Sequence, residues 1–267
     1  MQKVLGATGK EFAVRTPHDP FKERSTDEER RYRKQRLAAA FRIFAHFGFD
    51  EGAAGYMTVR DPEHTNCFWV NPFAMSFRQI RAGDLQLVDA AGNVIDGNWP
   101  VSRSAVLIHS EIHAARSDVV CVSHAHAMYS KVFASYRRLL RPITQDACIF
   151  FEDLGLGIAN GRVASHEEVG QQLTEALGSY KAVINANEGT FTVGQSVEEA
   201  VWWFITLEHS CQAEILAVAG GEPTLIPDEY AREIRGQNGF PLAGWYSAQP
   251  LFDWIIAEQP DCLDEEC

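Results

Sequence analysis

Two histidines separated by one residue, in Ser123-His124-Ala125-His126, are the side chains of this sequence best spaced for chemistry. They follow the apolar run Val119-Val120-Cys121-Val122, which reads as a β-strand. Side chains two apart on a strand leave the same face, so both imidazoles can converge on one point. Two neutral imidazoles at this spacing suit Zn²⁺, Fe²⁺ or Mn²⁺. The pattern alone also allows a plainer outcome, with one ring hydrogen-bonded internally and the other turned to water. His109 and His113 fall four apart on one face of a predicted helix, so they are candidates to replace or support metal ligands. The alternative for each is a packed or interface histidine. Tyr129, just past the pair, is a candidate proton donor or a core-packing ring.

The elements that must position these residues alternate along the chain. Ser25 and Thr26, followed by Glu28 and Glu29, predict the capped start of a long helix that Gly48 stops. Within it Leu37, Ala40, Phe41, Phe44 and Ala45 recur at helical spacing, while Arg30, Arg31, Arg33, Lys34 and Arg36 read as a solvated face, or else an anion site. Strands are expected over 56–59, 67–70, 85–88 and 94–96, the last two joined through Ala91-Gly92-Asn93. A helix over 104–116, the strand 119–123, a helix over 127–136 and strands over 182–186 and 190–193 follow. A long helix over 197–219 ends at Gly220-Gly221. No repeat or Gly/Ser linker divides the chain. The expected organisation is an arm (1–24), one α/β domain (25–222) and an extension (223–267) rich in aromatics and acids.

Composition narrows the function classes. The 267 residues carry 36 acids against 24 Lys and Arg, a net charge of −12 that argues against a nucleic-acid partner. Half of that charge sits in residues 251–267, which hold six acids and no Lys or Arg. At 46% hydrophobic residues, the chain can bury a sizeable core. No apolar run reaches the roughly 18 residues of a membrane span, and the charged start is unlike a signal peptide, so a cytoplasmic location and reduced thiols are expected. The six cysteines include no CxxC pair, which leaves a metal to histidines and carboxylates.

The segment Val119 to Phe133, with Arg116-Ser117-Asp118 before it, resembles the metal-binding strand of the class II aldolase/adducin family. The resemblance extends over about residues 30–220. It includes Gly55-Tyr56-Met57-Thr58-Val59-Arg60-Asp61, Val70-Asn71-Pro72, Asp84-Leu85, and Asn187-Glu188-Gly189 leading into Val193-Gly194-Gln195-Ser196. It implies a three-layer α/β/α fold with a mostly antiparallel central sheet, a divalent metal (Zn²⁺ or Fe²⁺, with Mn²⁺ also suitable), and a homotetramer.

Carried over by position, His124 and His126 match two of the family's three metal histidines, and Glu188 stands where the third belongs. Two histidines and one carboxylate suit non-haem Fe²⁺ as well as Zn²⁺. The acid/base carboxylate of the sugar-phosphate aldolases is replaced by Ala105, and Glu152 is a candidate substitute or a surface acid. Tyr56 replaces the asparagine of the phosphate-binding loop, and Arg103 and Ser104 replace its paired serines. With Asn71 and Phe73, these residues form the expected substrate wall, better suited to an aromatic small molecule than to a phosphosugar. The extended layout resembles a branch that includes iron oxygenases of aminocoumarin biosynthesis. The expected activity is a metal-dependent lyase, cleaving by aldol chemistry or decarboxylation a non-phosphorylated aromatic or polyketide-like acid. The alternatives are a non-haem Fe²⁺ oxygenase of secondary metabolism and a non-catalytic, adducin-like scaffold.

Overall fold

Ser25 opens the first long helix with a reciprocal cap: its hydroxyl accepts from the Glu28 amide while Glu28 accepts from the Ser25 amide. The computed structural model describes residues 3–5, 11–13, 18–157 and 167–265. In chain order these form β1 (Lys3–Leu5), β2 (Glu11–Ala13), α1 (Thr26–His46), β3 (Tyr56–Arg60), β4 (Cys67–Val70), β5 (Gln86–Asp89) and β6 (Val94–Asp96). There follow α2 (Arg103–Ala115), β7 (Cys121–Ala125), α3 (Met128–Ala134), α4 (Gln145–Cys148), β8 (Gly155–Gly157) and α5 (Glu167–Leu177). The last elements are β9 (Ala182–Asn185), β10 (Gly189–Gly194), α6 (Val197–Ala219), α7 (Asp228–Asn238) and α8 (Pro241–Glu258).

Strands β3 to β10 make one sheet in the order β6-β5-β4-β3-β7-β10-β9-β8, antiparallel except for the β8/β9 pair. Alternation along the strands divides the core in two. Met57, Val59, Trp69, Cys121 and Ala125 pack under α1, α6 and α8 with Phe41, Phe44, Phe204 and Phe252. Tyr56, Val70, Val122 and Phe191 pack on the opposite face against Ile108 and Ile112 of α2 and Leu173 of α5. This is the expected three-layer α/β/α fold. His124, two residues past Val122, belongs to the α2 side.

The structure corrects several expectations. The central strand runs two residues later than expected, so His124 lies within β7 and His126 one step beyond it. Residues 3–5 and 11–13 of the presumed arm pair as an antiparallel ribbon. The remainder of that arm up to residue 17, like Glu266 and Cys267 of the acidic tail, lies outside the described residues. The extension is two helices and part of the main core: Ala248, Phe252 and Ile255 of α8 join α1 and α6. Gly244 makes that docking possible, since a Cβ there would stand 2.6 Å from the Trp203 ring.

The basic run of α1 is also turned inward more than expected. Arg30, Arg33 and Arg36 are mostly covered and pair with Asp61, Glu29 and Glu198, while Arg31 remains 65% exposed. Asp61, just after β3, is fully buried. It accepts two bonds from Arg30 (2.8 and 3.1 Å), one from the Trp69 indole (2.9 Å), and two from the amides of Glu63 and His64. Burial would raise its pKa, but these donors outweigh it and hold the carboxyl well below the usual range. We expect Asp61→Ala to cost about 3 kcal/mol, read as a lower urea midpoint at unchanged m-value. A loss under about 1 kcal/mol would mean that the cluster behaves as an ordinary surface ion pair.

Candidate metal centre

β7 is hydrogen-bonded on both sides, and its register places Tyr56 of β3 and Phe191 of β10 directly opposite His124. The imidazole lies flat on Phe191, with ring centroids 3.9 Å apart and planes 6° from parallel, and Tyr56 flanks its other side at 5.1 Å. His124 Nδ1 is 2.9 Å from the Thr190 carbonyl. A carbonyl only accepts, so Nδ1 carries the proton and Nε2 presents a lone pair. That Nε2 is buried and has no hydrogen-bond partner. Burial, reinforced by His126, lowers the His124 pKa to about 3, so the ring is neutral at physiological pH.

His126 stands beside it, with ring centroids 5.2 Å apart and planes 70° apart. Partial burial, then the charge of Lys131, pushes its pKa down as well, against an opposing pull from Glu51. Glu188 arrives from the turn between β9 and β10, where Asn187 adopts a φ of +63°, a conformation asparagine tolerates. Its Oε1 lies 4.0 Å from His124 Nε2, and its Oε2 accepts from the Asn185 side-chain amide. Burial raises the Glu188 pKa, and the Asn185 bond works against that rise. His126 and Glu188 thus each border His124 at one end of the sheet. Among the described residues no group of three or more His, Cys, Asp or Glu side chains is arranged to hold a metal ion. The orphaned Nε2 and the facing carboxylate nevertheless have the donor chemistry a divalent ion requires.

The expected substrate wall gathers at the same end. The pairing of Thr58 with Val70 sets Asn71 and Phe73 beside the start of β3, where Tyr56 sits. Burial, then the Glu188 charge, raises the Tyr56 pKa well above its ordinary value, so the phenol keeps its proton. Asn71 is buried with its side-chain oxygen unpartnered, while Phe73 is 44% exposed. The Phe73 amide donates to Pro100, and the Trp99 indole donates to the Phe73 carbonyl, which draws the start of α2, with exposed Arg103 and half-buried Ser104, to this edge.

In three places the structure shows the plainer of the two expected roles. His109 and His113 do not hydrogen-bond to either candidate ligand; both bond Thr58 Oγ1, at 2.8 and 2.9 Å, and His109 meets the site through the Tyr56 ring. Tyr129 packs its ring on the cluster of Phe133, Phe150 and Trp203, so core packing is its observed role. Glu152 is about half exposed and forms a multiply bonded pair with Arg232 of α7, which takes it into a surface ion pair rather than to the histidines. Sequence reasoning also missed Glu208. This buried α6 acid accepts the Tyr129 and Ser130 amides at the start of α3 and so anchors the helix that follows His126. No sequence signal marks a partner 78 residues away.

The pattern of the Class II Aldolase and Adducin N-terminal domain matches residues 35–215. The chain belongs to the class II aldolase/adducin family. Decarboxylase NovR from Streptomyces niveus is 42% identical over 241 residues, covering 90% of this chain and 89% of that protein. A Streptomyces roseochromogenus subsp. oscitans protein named 4-hydroxy-3-prenylphenylpyruvate oxygenase/4-hydroxy-3-prenylbenzoate synthase is also 42% identical, over 88% of this chain and 85% of that one. Among solved structures, L-fuculose 1-phosphate aldolase from Glaciozyma antarctica PI12 superposes with a TM-score of 0.84 at 39% identity, over 91% of this chain and 95% of that one. Within this class II aldolase fold, Ala105 is fully buried on α2. No helix among the described residues is long and apolar enough to cross a membrane.

The buried imidazoles make acid stability a measurable property of this family member. Burial, then the neighbouring Arg60 charge, lowers the His113 pKa from 6.5 to about 3. A depressed folded-state pKa stabilises the fold above pH 6.5, and that stability is lost as pH falls toward 3. On lowering pH from 7 to 5 in chelator, wild type should lose about 2 kcal/mol more stability than His113→Gln, because one fewer proton is taken up on unfolding. Parallel pH slopes for the two proteins would show that His113 is not buried in its neutral form.

Proposed function

We propose that this protein is a metal-dependent carbon–carbon lyase of the aldolase or decarboxylase type, acting on a non-phosphorylated aromatic acid. His124, His126 and Glu188 would hold the metal. The observation that carries this reading is the buried, partnerless Nε2 of His124 facing the Glu188 carboxylate. Bound there, a divalent ion would supply Lewis acidity toward a substrate carbonyl or carboxylate oxygen.

The residues of the chain do the rest. The Thr190 carbonyl fixes the His124 tautomer, and the Phe191 ring holds the imidazole plane. Tyr56 keeps its phenolic proton beside the site, available to a developing negative charge on substrate. Phe73 and Trp99, both partly exposed at the same edge, offer ring faces to an aromatic substrate. The replacement of the family asparagine by Tyr56 supports a substrate without a phosphate. The names of the two Streptomyces relatives, a decarboxylase and an enzyme of prenylated aromatic acids, support the same substrate class.

A second reading, a non-haem Fe²⁺ oxygenase, is favoured by one observation: a carboxylate, Glu188, faces His124 where the resemblance expects a third imidazole. Metal analysis of anaerobically purified protein, with turnover of a 4-hydroxyarylpyruvate measured with and without O₂, separates the two readings. Zinc with O₂-independent turnover supports the lyase, and iron with strict O₂ dependence supports the oxygenase. In either case His124→Ala and Glu188→Gln should lower bound metal from one equivalent and reduce turnover by at least about 100-fold, with an unchanged circular-dichroism spectrum. Substoichiometric metal that His124→Ala leaves unchanged would overturn both and favour the scaffold.

A further inference from the structure

The α3 side of the metal centre is edged by a cation with no role in the chemistry above. A Cβ built on Gly189 would stand 3.9 Å from His124 Cε1 and 4.0 Å from Lys131 Cγ. The stem of Lys131 and the candidate ligand thus border the same small space, which the glycine leaves open. The Lys131 ammonium lies 2.6 Å from both oxygens of Glu51, and both side chains are partly exposed, at 26% and 43%. Glu51 is its hydrogen-bond partner among the described residues. An ammonium has three hydrogens, so one remains for a further acceptor.

A second cation lies on the same flank. Arg137 directs Nε and Nη2 to the side-chain oxygen of Asn187, at 3.1 and 2.8 Å, and makes no ion pair among the described residues. Asn187 immediately precedes Glu188, so two positive groups border the turn that supplies the carboxylate. An anionic substrate approaching Glu188 meets a like charge unless cations offset it. Lys131 and Arg137 are the groups placed to do so.

We propose that Lys131, held at rest by Glu51, recognises the carboxylate of the substrate, with Arg137 as the second positive charge beside the Glu188 turn. This rests on the aromatic-acid reading above, and it assigns specificity for the acid group to α3 rather than to the metal alone.

The test is calorimetric titration of zinc-loaded protein with 4-hydroxybenzoate and with its uncharged analogue 4-hydroxybenzamide. Wild type should bind the acid at least about tenfold more tightly than the amide, the scale of one charge-assisted hydrogen bond. Lys131→Met should lose at least about tenfold in affinity for the acid and stay within about twofold for the amide, at unchanged zinc content. Lys131→Arg should restore most of the acid affinity, and Glu51→Gln should raise it by freeing the ammonium. Lys131→Met that binds the acid as wild type does, or that loses acid and amide equally, overturns the assignment of Lys131 alone. Zinc-replete wild type that binds neither probe overturns both this assignment and the aromatic-acid reading.

Discussion

The site depends on the position of β7 in the middle of the sheet. A strand paired on both edges cannot slip by one residue without reversing every side chain between the two cores. In the observed register Val122 and His124 face α2 while Cys121 and Ala125 face α6. The same ladder brings the Thr190 carbonyl to His124 Nδ1. Backbone pairing therefore sets three properties of this histidine together: its face, its tautomer and its aromatic neighbours. A polar ring in such a position is costly unless satisfied, and its second nitrogen is left bare. In a native protein such an orphan calls for an explanation, and a metal ligand is one.

Around that centre, buried charge is used mainly to tie elements together. Glu208 holds the start of α3, and Glu214 accepts from Arg138 and Arg141 in the loop that follows it. Glu198 takes Tyr32 and Arg36 of α1, and Glu199 takes the Trp203 indole and the Gln195 amide. Four acids of one helix thus reach α1, α3 and the loops beside them. Each is partnered, as buried carboxylates must be. The rigidity this confers on α3 extends to Lys131, whose stem borders the metal centre from that helix.

The sequence displayed some of this clearly and hid the rest for physical reasons. His124 and His126 stand out because their spacing is local. The cap at Ser25 and the turn before β6 are equally local, and both are legible. The strand runs on to Ala125 because β3 and β10 continue to pair with it past the apolar run, through the polar residues Ser123 and His124, which apolarity does not mark. The helix α8 was hidden by Gly244 and Pro250, which lower helix propensity, and packing against α6 and α1 overrides them. Glu152 and Arg232 are 80 residues apart, so nothing near either residue reveals that they pair. The inward turn of Arg30 is likewise set by Asp61, a partner 31 residues away.

The close docking of α8 also bears on the order in which the molecule can assemble. Every strand of the sheet and every ligand of the candidate centre precedes residue 195, yet the outer face of α6 is covered by a helix that begins at Pro241. During synthesis the complete sheet would exist for some seconds with Trp203 and Phe204 lacking their α8 partners. A nascent chain in that interval carries an open apolar seam, which α8 and then the turn carrying Cys262 close. The centre is encoded early in the chain, but the layer that stiffens it from behind is made late.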